Sequence, residues 1–335
     1  MENRRIRIVD IAEELGVSTA TVSNVIHGKT KKISDETVHR VQELLEQKQY
    51  IPSMAGILLA QNNSRIIGVV VNNHEKYEDH VLEDNFIASA LNELSVEIEK
   101  AGDFMMVKTA KEWKEIPRFA SMWNMEGLVI IGFCEQDYKK LRDSMHIPFV
   151  VYDGYLEETQ RLCNLVIDNY DGGYQVGKYF REMGHRKVLC ISDNDICMDQ
   201  ERFQGFQSGM AEDGADFLMI PMEREERKSF YQEKIEVLKK YSAIFAVSDY
   251  YAIELMQFLQ EQGIKIPEEI SVAGFDDVPL CEMVCPALTT ICQDKKKRAE
   301  IAIDMLKKLK EDGNAGGTIT LPVTLVERQS VAKHT

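Results

Sequence analysis

From Arg65 onward, short apolar runs recur between stretches with helical periodicity. There are seven: "IIGVVV", "FMMVK", "GLVIIG", "FVVYD", "KVLCIS", "AIFAVSD" and "ISVAGFDD". A run that is apolar at nearly every residue can face water on neither side. Each therefore predicts a strand buried on both faces, and alternation with amphipathic helices predicts parallel sheets covered by helices. The seven divide into two sheets, one before about residue 165 and one after. In open parallel sheets, ligands lie at the carboxyl ends of the strands. Several runs end in polar groups: Asp153, Ser192–Asp193, Ser248–Asp249 and Asp276–Asp277. One acid at a strand end is commonly a turn former or helix cap. Polar groups at four ends predict a shared cleft between two α/β lobes.

The first sixty residues follow a different pattern. Ile8, Ile11, Ala12 and Leu15 lie on one face of a helix. Gly16 ends it, because glycine accepts the left-handed backbone of a sharp turn. Ser18 is placed to cap a second helix, in which Val22, Val25 and Ile26 form the buried side. That leaves Thr19, Ala20, Ser23 and Asn24 outward. Ser34 caps a third helix, with Val38, Val41 and Leu45 inward. Three short helices with a glycine turn between the first two predict an all-α helix-turn-helix headpiece over residues 1–51. The exposed side of the second helix is small and polar, without long charged residues. Such a face suits a major groove, where Asn bonds adenine and Thr or Ala touches a thymine methyl.

Charge separates the two regions. Residues 1–65 carry nine Lys/Arg against eight Asp/Glu, while residues 66–335 carry 31 against 47, so the −15 of the whole chain lies in its larger part. The positive charges of the front segment are clustered, in Arg4, Arg5 and Arg7 and in Lys29, Lys31 and Lys32. Local clusters can meet phosphates on a domain that is nearly neutral.

Both regions resemble one family. "DIAEELGVSTATVSNVIHGK" followed by "ISDETVHRVQELLEQKQYIP" is similar to the headpiece of the lactose-repressor (LacI/GalR) family of bacterial transcription regulators. "VIDNYDGGYQVGKYFREMGHRKVLCIS", "RFQGFQSGM", "ISVAGFDDVPL" and "PALTTICQ" are similar to its core, which has the fold of periplasmic sugar-binding proteins. The match is weakest over residues 72–125 and 220–235. The resemblance implies that Thr19 and Ala20 are the leading base readers, with Asn24 the third. It places Ser18, Thr21 and Ser23 on phosphates, and Lys31 joins them from the basic loop. Residues 52–65 become a hinge helix or linker, with Leu59 as a wedge in the minor groove. The effector contacts become Arg202, Asp276, Asp153 and Ser248, and Arg with Asp suits the hydroxyls of a sugar. The core, residues 66–335, is expected to cross between lobes three times: lobe 1 takes 66–167 and 292–322, and lobe 2 takes 168–291 and 323–332. The chain departs from its relatives at Asn24, where many carry Arg, and at Gly56, Ile57 and Ala60 in the hinge. It departs again at Ser248, where Asn is frequent. No residue of 220–235 can be assigned as the aromatic that often stacks on the ligand.

The function expected is therefore a sequence-specific transcriptional regulator, a repressor, acting as a homodimer on a pseudo-palindromic double-stranded operator. A small polar effector, a carbohydrate or a derivative of one, controls it. The alternative is an enzyme using the same cleft on a sugar or nucleotide. Against it, the chain has no GxGxxG after a strand, no GxxxxGK[ST], no HExxH and no GxSxG. The seven cysteines include no CxxC pair, and Cys281, Cys285 and Cys292 have no neighbouring histidine, so neither a metal nor a cofactor is expected. Neither a membrane-length apolar run nor a secretory leader is found, which places the chain in the cytoplasm.

Overall fold

The computed structural model of the protein describes residues 6–51, 63–77, 79–133, 135–154, 162–211 and 214–334. Its contacts divide the chain into two units, Met1–Ser64 and Arg65–Thr335.

The small unit holds three helices, α1 (Ile8–Leu15), α2 (Thr19–Ile26) and α3 (Asp35–Gln47). Gly16 closes α1 at φ +66°, where Val17 N–H donates to the Ala12 carbonyl at 3.0 Å. The left-handed turn starts α2 within three residues, and Ser18 Oγ accepts its Thr21 N–H at 3.0 Å. Arg40 reaches back to the Leu15 carbonyl at 3.3 Å and ties α3 to the end of α1. Ile11, Ala12, Val22, Val25, Val41 and Leu44 form the core. The inward face of α3 is the expected one with Leu44 added: Val41 and Leu44 are buried, and Val38 and Leu45 are half-buried and packed against the same core. Leu44 lies on the same stripe at 3.6 residues per turn, three positions from Val41, and the sequence pattern alone passes over it.

The large unit has twelve strands among the described residues, not seven. One six-stranded parallel sheet runs in the order β11-β5-β4-β3-β1-β2. Its strands are β1 (Ile66–Asn72), β2 (Phe104–Ala110), β3 (Gly127–Ile131), β4 (Phe149–Tyr152), β5 (Leu162–Ile167) and β11 (Gly317–Leu321). A four-stranded parallel sheet runs β7-β6-β8-β9, with β6 (Val188–Ser192), β7 (Asp216–Met219), β8 (Ala243–Ala246) and β9 (Ser271–Ala273). Strands β10 (Thr290–Gln293) and β12 (Val323–Val326) form an antiparallel pair. Four of the extra strands escaped the apolar-run criterion for visible reasons. β7 and β11 are edge strands with exposed positions, so they never need to be apolar throughout. β5 carries a buried Asn164, whose amide pairs with both backbone groups of Gly154. β10 carries Thr290 and Gln293, buried but polar.

The connections make two lobes. The chain leaves the six-stranded sheet after β5 and enters α7 (Asn169–Glu182), which packs on α8 (Cys197–Met210) over the four-stranded sheet. It returns through β10 to α12 (Lys295–Glu311), which packs on α4 (Asn85–Lys100) and on β3, β4 and β5. β11 completes the first sheet, and the chain then recrosses through β12. The final segment lies on the second lobe, where Ser330 accepts from Val272 N–H at 2.9 Å and His334 N–H donates to Met183 at 2.8 Å. Each lobe has its own apolar cluster. Among the described residues no helix is long and apolar enough to cross a membrane.

Candidate DNA-reading face and effector cleft

On α2, burial of Val22 and Val25 turns Thr19, Ala20 and Asn24 to solvent, with Ser23 half-buried. Ser18 Oγ and Thr21 Oγ1 share a hydrogen bond at 2.8 Å, so two hydroxyls stand at the amino end of the helix. That end presents unpaired N–H groups and a positive dipole, a ready receptor for a phosphate. Lys31 is exposed in the loop after α2. The structure therefore brings Ser18, Thr19, Ala20, Thr21, Ser23 and Asn24 to one short helix. Leu59 and the rest of the hinge from Pro52 to Asn62 lie outside the described residues.

In the large unit the chemistry gathers where the sheets' carboxyl ends meet the crossover strands. Arg202, on α8, is only 5% exposed. Its Nε donates to Asn169 Oδ1 at 2.9 Å and its Nη1 to the Val247 carbonyl at 2.6 Å, while the guanidinium lies 3.7 Å from the Phe275 ring centroid. Nη2 is left 4.0 Å from Asp276 Oδ1. α8 is held close to α7 by paired glycines. A Cβ on Gly173 would overlap the Arg202 carbonyl, and one on Gly205 would overlap that of Tyr170. This close crossing sets Arg202 against Asn169, at the start of α7.

Asp276 follows β9 with φ 115°, a backbone conformation that side chains rarely adopt. Its Oδ1 accepts from Gln293 Nε2 at 2.5 Å, and Lys295 Nζ donates to its carbonyl at 2.5 Å. Burial pushes the Asp276 carboxyl up to about 7. The Arg202 charge opposes the shift, and the nearby Asp249 carboxylate adds to it. Asp249 is itself raised to about 6 by burial. Its oxygens are used within the lobe, accepting from Val278 N–H at 2.9 Å and Thr290 Oγ1 at 2.5 Å. Asp277 pairs with Arg328 at 2.8 Å. Among Asp193, Asp249, Asp276 and Asp277, Asp276 is the one beside Arg202: its Oδ1 serves Gln293 and faces the guanidinium, and its Oδ2 takes no side-chain or backbone hydrogen bond from the described residues, as Asp193 Oδ2 also takes none. Asp193 takes the Asn194 amide on Oδ1 at 2.9 Å.

Ser248 caps α10 (Asp249–Glu261), accepting Tyr251 N–H at 3.4 Å, so its oxygen already has a structural task. Asp153, just past β4 at φ 54°, lies in the other lobe, with Oδ1 2.8 Å from Arg298 Nη2. The approach is an ion pair rather than an aligned hydrogen bond. The sequence missed Asn169, Phe275, Gln293, Lys295 and Arg298. "DKKKRAE" reads as a solvated run, yet Arg298 is the largest fully buried side chain among the described residues. It also missed Tyr250, an exposed ring in the first turn of α10. Its neighbour is Arg227, which is buried and paired with Glu254 at 2.5 Å.

Two family models match the chain: bacterial regulatory proteins of the lacI family over residues 7–53, and the periplasmic binding protein-like domain over 178–331. Among curated relatives, an HTH-type transcriptional repressor PurR from Vibrio cholerae is 28% identical, covering 97% of this chain and 97% of its own. The PurR of Vibrio atlanticus is 29% identical over 97% and 98%. Among solved structures, the lac repressor dimer bound to operator and the anti-inducer ONPF superposes with a TM-score of 0.81. It is 20% identical and covers 98% of this chain and all of the other. A LacI family transcriptional regulator from Enterococcus faecium with bound ribose gives 0.68 at 21% identity, over 81% of this chain. At these identities the structures speak for the fold, in which a helical headpiece precedes a two-lobed α/β core. With the headpiece and core matched by separate models and relatives aligned over nearly their whole length, the chain belongs to the lacI family of bacterial regulatory proteins.

Proposed function

We propose that this protein is a cytoplasmic transcriptional repressor whose headpieces read a pseudo-palindromic operator as a homodimer. A small polar effector, of carbohydrate type, binds between the lobes of its core. Thr19, Ala20 and Asn24 read base edges, and Ser18, Thr21, Ser23 and Lys31 hold phosphates. Leu59 serves as the minor-groove wedge. One short helix spans only a few base pairs, so two copies related by symmetry are needed for tight, specific binding.

The observation that carries the effector reading is the Arg202–Asp276 pair. A guanidinium clamped on three sides offers its remaining arm beside a carboxylate with an oxygen to spare. A vicinal diol satisfies both at once, accepting from Nη2 and donating to the carboxylate. Asp153 from the other lobe and Ser248 complete the contact set. Effector binding changes the relation of the lobes and, through the hinge, the spacing of the headpieces.

Two measurements test this. Operator selection from random duplexes, followed by Asn24→Ala, should give a palindrome whose specificity relaxes at one base pair per half-site, at about 1–3 kcal/mol. Absence of any preferred sequence overturns the DNA reading. Calorimetry against a panel of pentoses, hexoses, disaccharides, nucleosides and nucleobases should find a sugar whose binding is lost in Arg202→Ala. A nucleobase in its place would keep the site and replace the ligand class.

A further inference from the structure

A file of buried polar side chains joins Asp276 in the second lobe to Asp153 in the first. Asp276 Oδ1 accepts from Gln293 Nε2 at 2.5 Å. Gln293 Oε1 accepts from Arg298 Nη1 at 3.4 Å, and Arg298 Nη2 faces Asp153 Oδ1 at 2.8 Å. Gln293 is 3% exposed and Arg298 2%. The two carboxylates belong to different sheets, and the residues between them lie on the crossover: Gln293 ends β10, and Arg298 is in the first turns of α12. The backbone follows the same route. Asp276 N–H donates to the Ile291 carbonyl at 2.8 Å, and Lys295 Nζ reaches the carbonyls of Asp276 and Asp277 at 2.5 and 3.0 Å.

Gln is the side chain this position requires. One end must donate to a carboxylate and the other must accept from a guanidinium, and a primary amide does both in the single orientation that makes both contacts attractive. Glu would set a second anion against Asp276, and Met would serve neither neighbour. The far half of the file is not fully satisfied. Arg298 Nε has no hydrogen-bond partner, its contact with Gln293 is long, and the guanidinium rests on the Tyr152 ring, 4.1 Å from the centroid. Arg298 can therefore tighten on Gln293 once that amide is released, and a network with two satisfactory arrangements can carry a signal.

We infer that Gln293 is the positioning residue that transmits the state of Asp276 to Asp153 through Arg298. The inference rests on the reading of Asp276 as an effector contact. A ligand that takes the Asp276 carboxylate loosens its hold on Gln293. The amide turns toward Arg298, and Arg298 resets Asp153, the first-lobe group facing the same ligand. Closure of one wall of the cleft thereby prepares the other.

The test uses the full chain without ligand, so it stands apart from the calorimetric search. Asp153→Asn, Asp276→Asn and the double variant are unfolded in urea, in the natural background and in Gln293→Met. With Gln293 present, the two changes should be non-additive by about threefold or more in the folding equilibrium constant, the range of coupled sites. In Gln293→Met they should be additive. Additivity in the natural background, or coupling that survives Gln293→Met, overturns the inference. A second measurement does not depend on Gln293→Met folding: amide exchange at Val151–Gly154 should change in Asp276→Asn, although that residue is in the other lobe. Unchanged exchange there also overturns it. If the coupling is present and no ligand binds, the effector reading fails while the link stands.

Discussion

Asp276→Asn should make the protein more stable at neutral and alkaline pH, and the gain should vanish in acid. In the unfolded chain this carboxyl titrates near its ordinary 3.8, whereas in the fold burial raises it to about 7. The folded form thus favours the protonated group. Any stability from this preference is fully present below the unfolded value and is lost as pH rises through the folded one. Each tenfold change in proton affinity is worth about 1.4 kcal/mol, so charging Asp276 inside the fold costs up to about 4 kcal/mol by pH 8. An amide keeps the shape without that charge, and its neutral oxygen holds Gln293 less tightly than a carboxylate does. It gives up the attraction to Arg202, already counted in the value of about 7. The assay is urea unfolding of wild type and variant from pH 4 to pH 8. The difference in stability should climb across the interval between pH 4 and pH 7 and then level off. A flat difference would mean that Asp276 titrates like an exposed carboxyl, and the argument that it is held at a cost in stability for a ligand would fail. The same reasoning gives a ligand-side result. If hydroxyls of the effector donate to the carboxylate, binding at pH 6.5 should release protons, seen as a calorimetric heat that varies with buffer ionisation enthalpy.

Gly205→Ala should destabilise the second lobe by about 1–3 kcal/mol or more, because the added methyl meets the Tyr170 carbonyl with no flexible side chain to yield; chemical unfolding measures this. His185, buried between Ser242 and the Ala332 carbonyl, has its basicity lowered to about 4, so stability should fall as pH drops from 6.5 through 4. His185→Gln should flatten that part of the profile in a thermal melt. In the headpiece, Lys31→Ala should weaken all DNA sequences alike and reduce the salt slope by about one, as titration at several salt concentrations would show. Leu59→Ala should lose DNA bending in a gel-mobility or fluorescence assay while the headpiece keeps its fold.

How much of this was legible beforehand depends on the range of the interactions concerned. Helices α1 to α3 follow from apolar spacing, Gly16 and two serine caps, all of them signals within about four residues. Seven strands were legible because a strand buried on both faces must be apolar along its length. Arg202 and Asp276 were legible through motifs, although nothing local distinguishes Asp276 from Asp249 or Asp277. Distinguishing them took tertiary structure: Asp249 is spent on Val278 and Thr290, Asp277 pairs with Arg328, and Asp276 stands beside the Arg202 guanidinium with one carboxylate oxygen outside its bond to Gln293. The edge strands β7 and β11 could not be seen, because an edge need not be apolar. Gln293 and Arg298 sit in a stretch whose composition is that of a surface. They are buried because the crossover threads "QDKKKR" between two lobes, where residues more than a hundred positions apart supply the partners that a buried charge requires. The sequence by itself determined the headpiece helices, the strands that are apolar along their whole length, and the two regions of unlike chemistry. Only the tertiary structure decided which polar groups are free, since that depends on partners brought from distant parts of the chain.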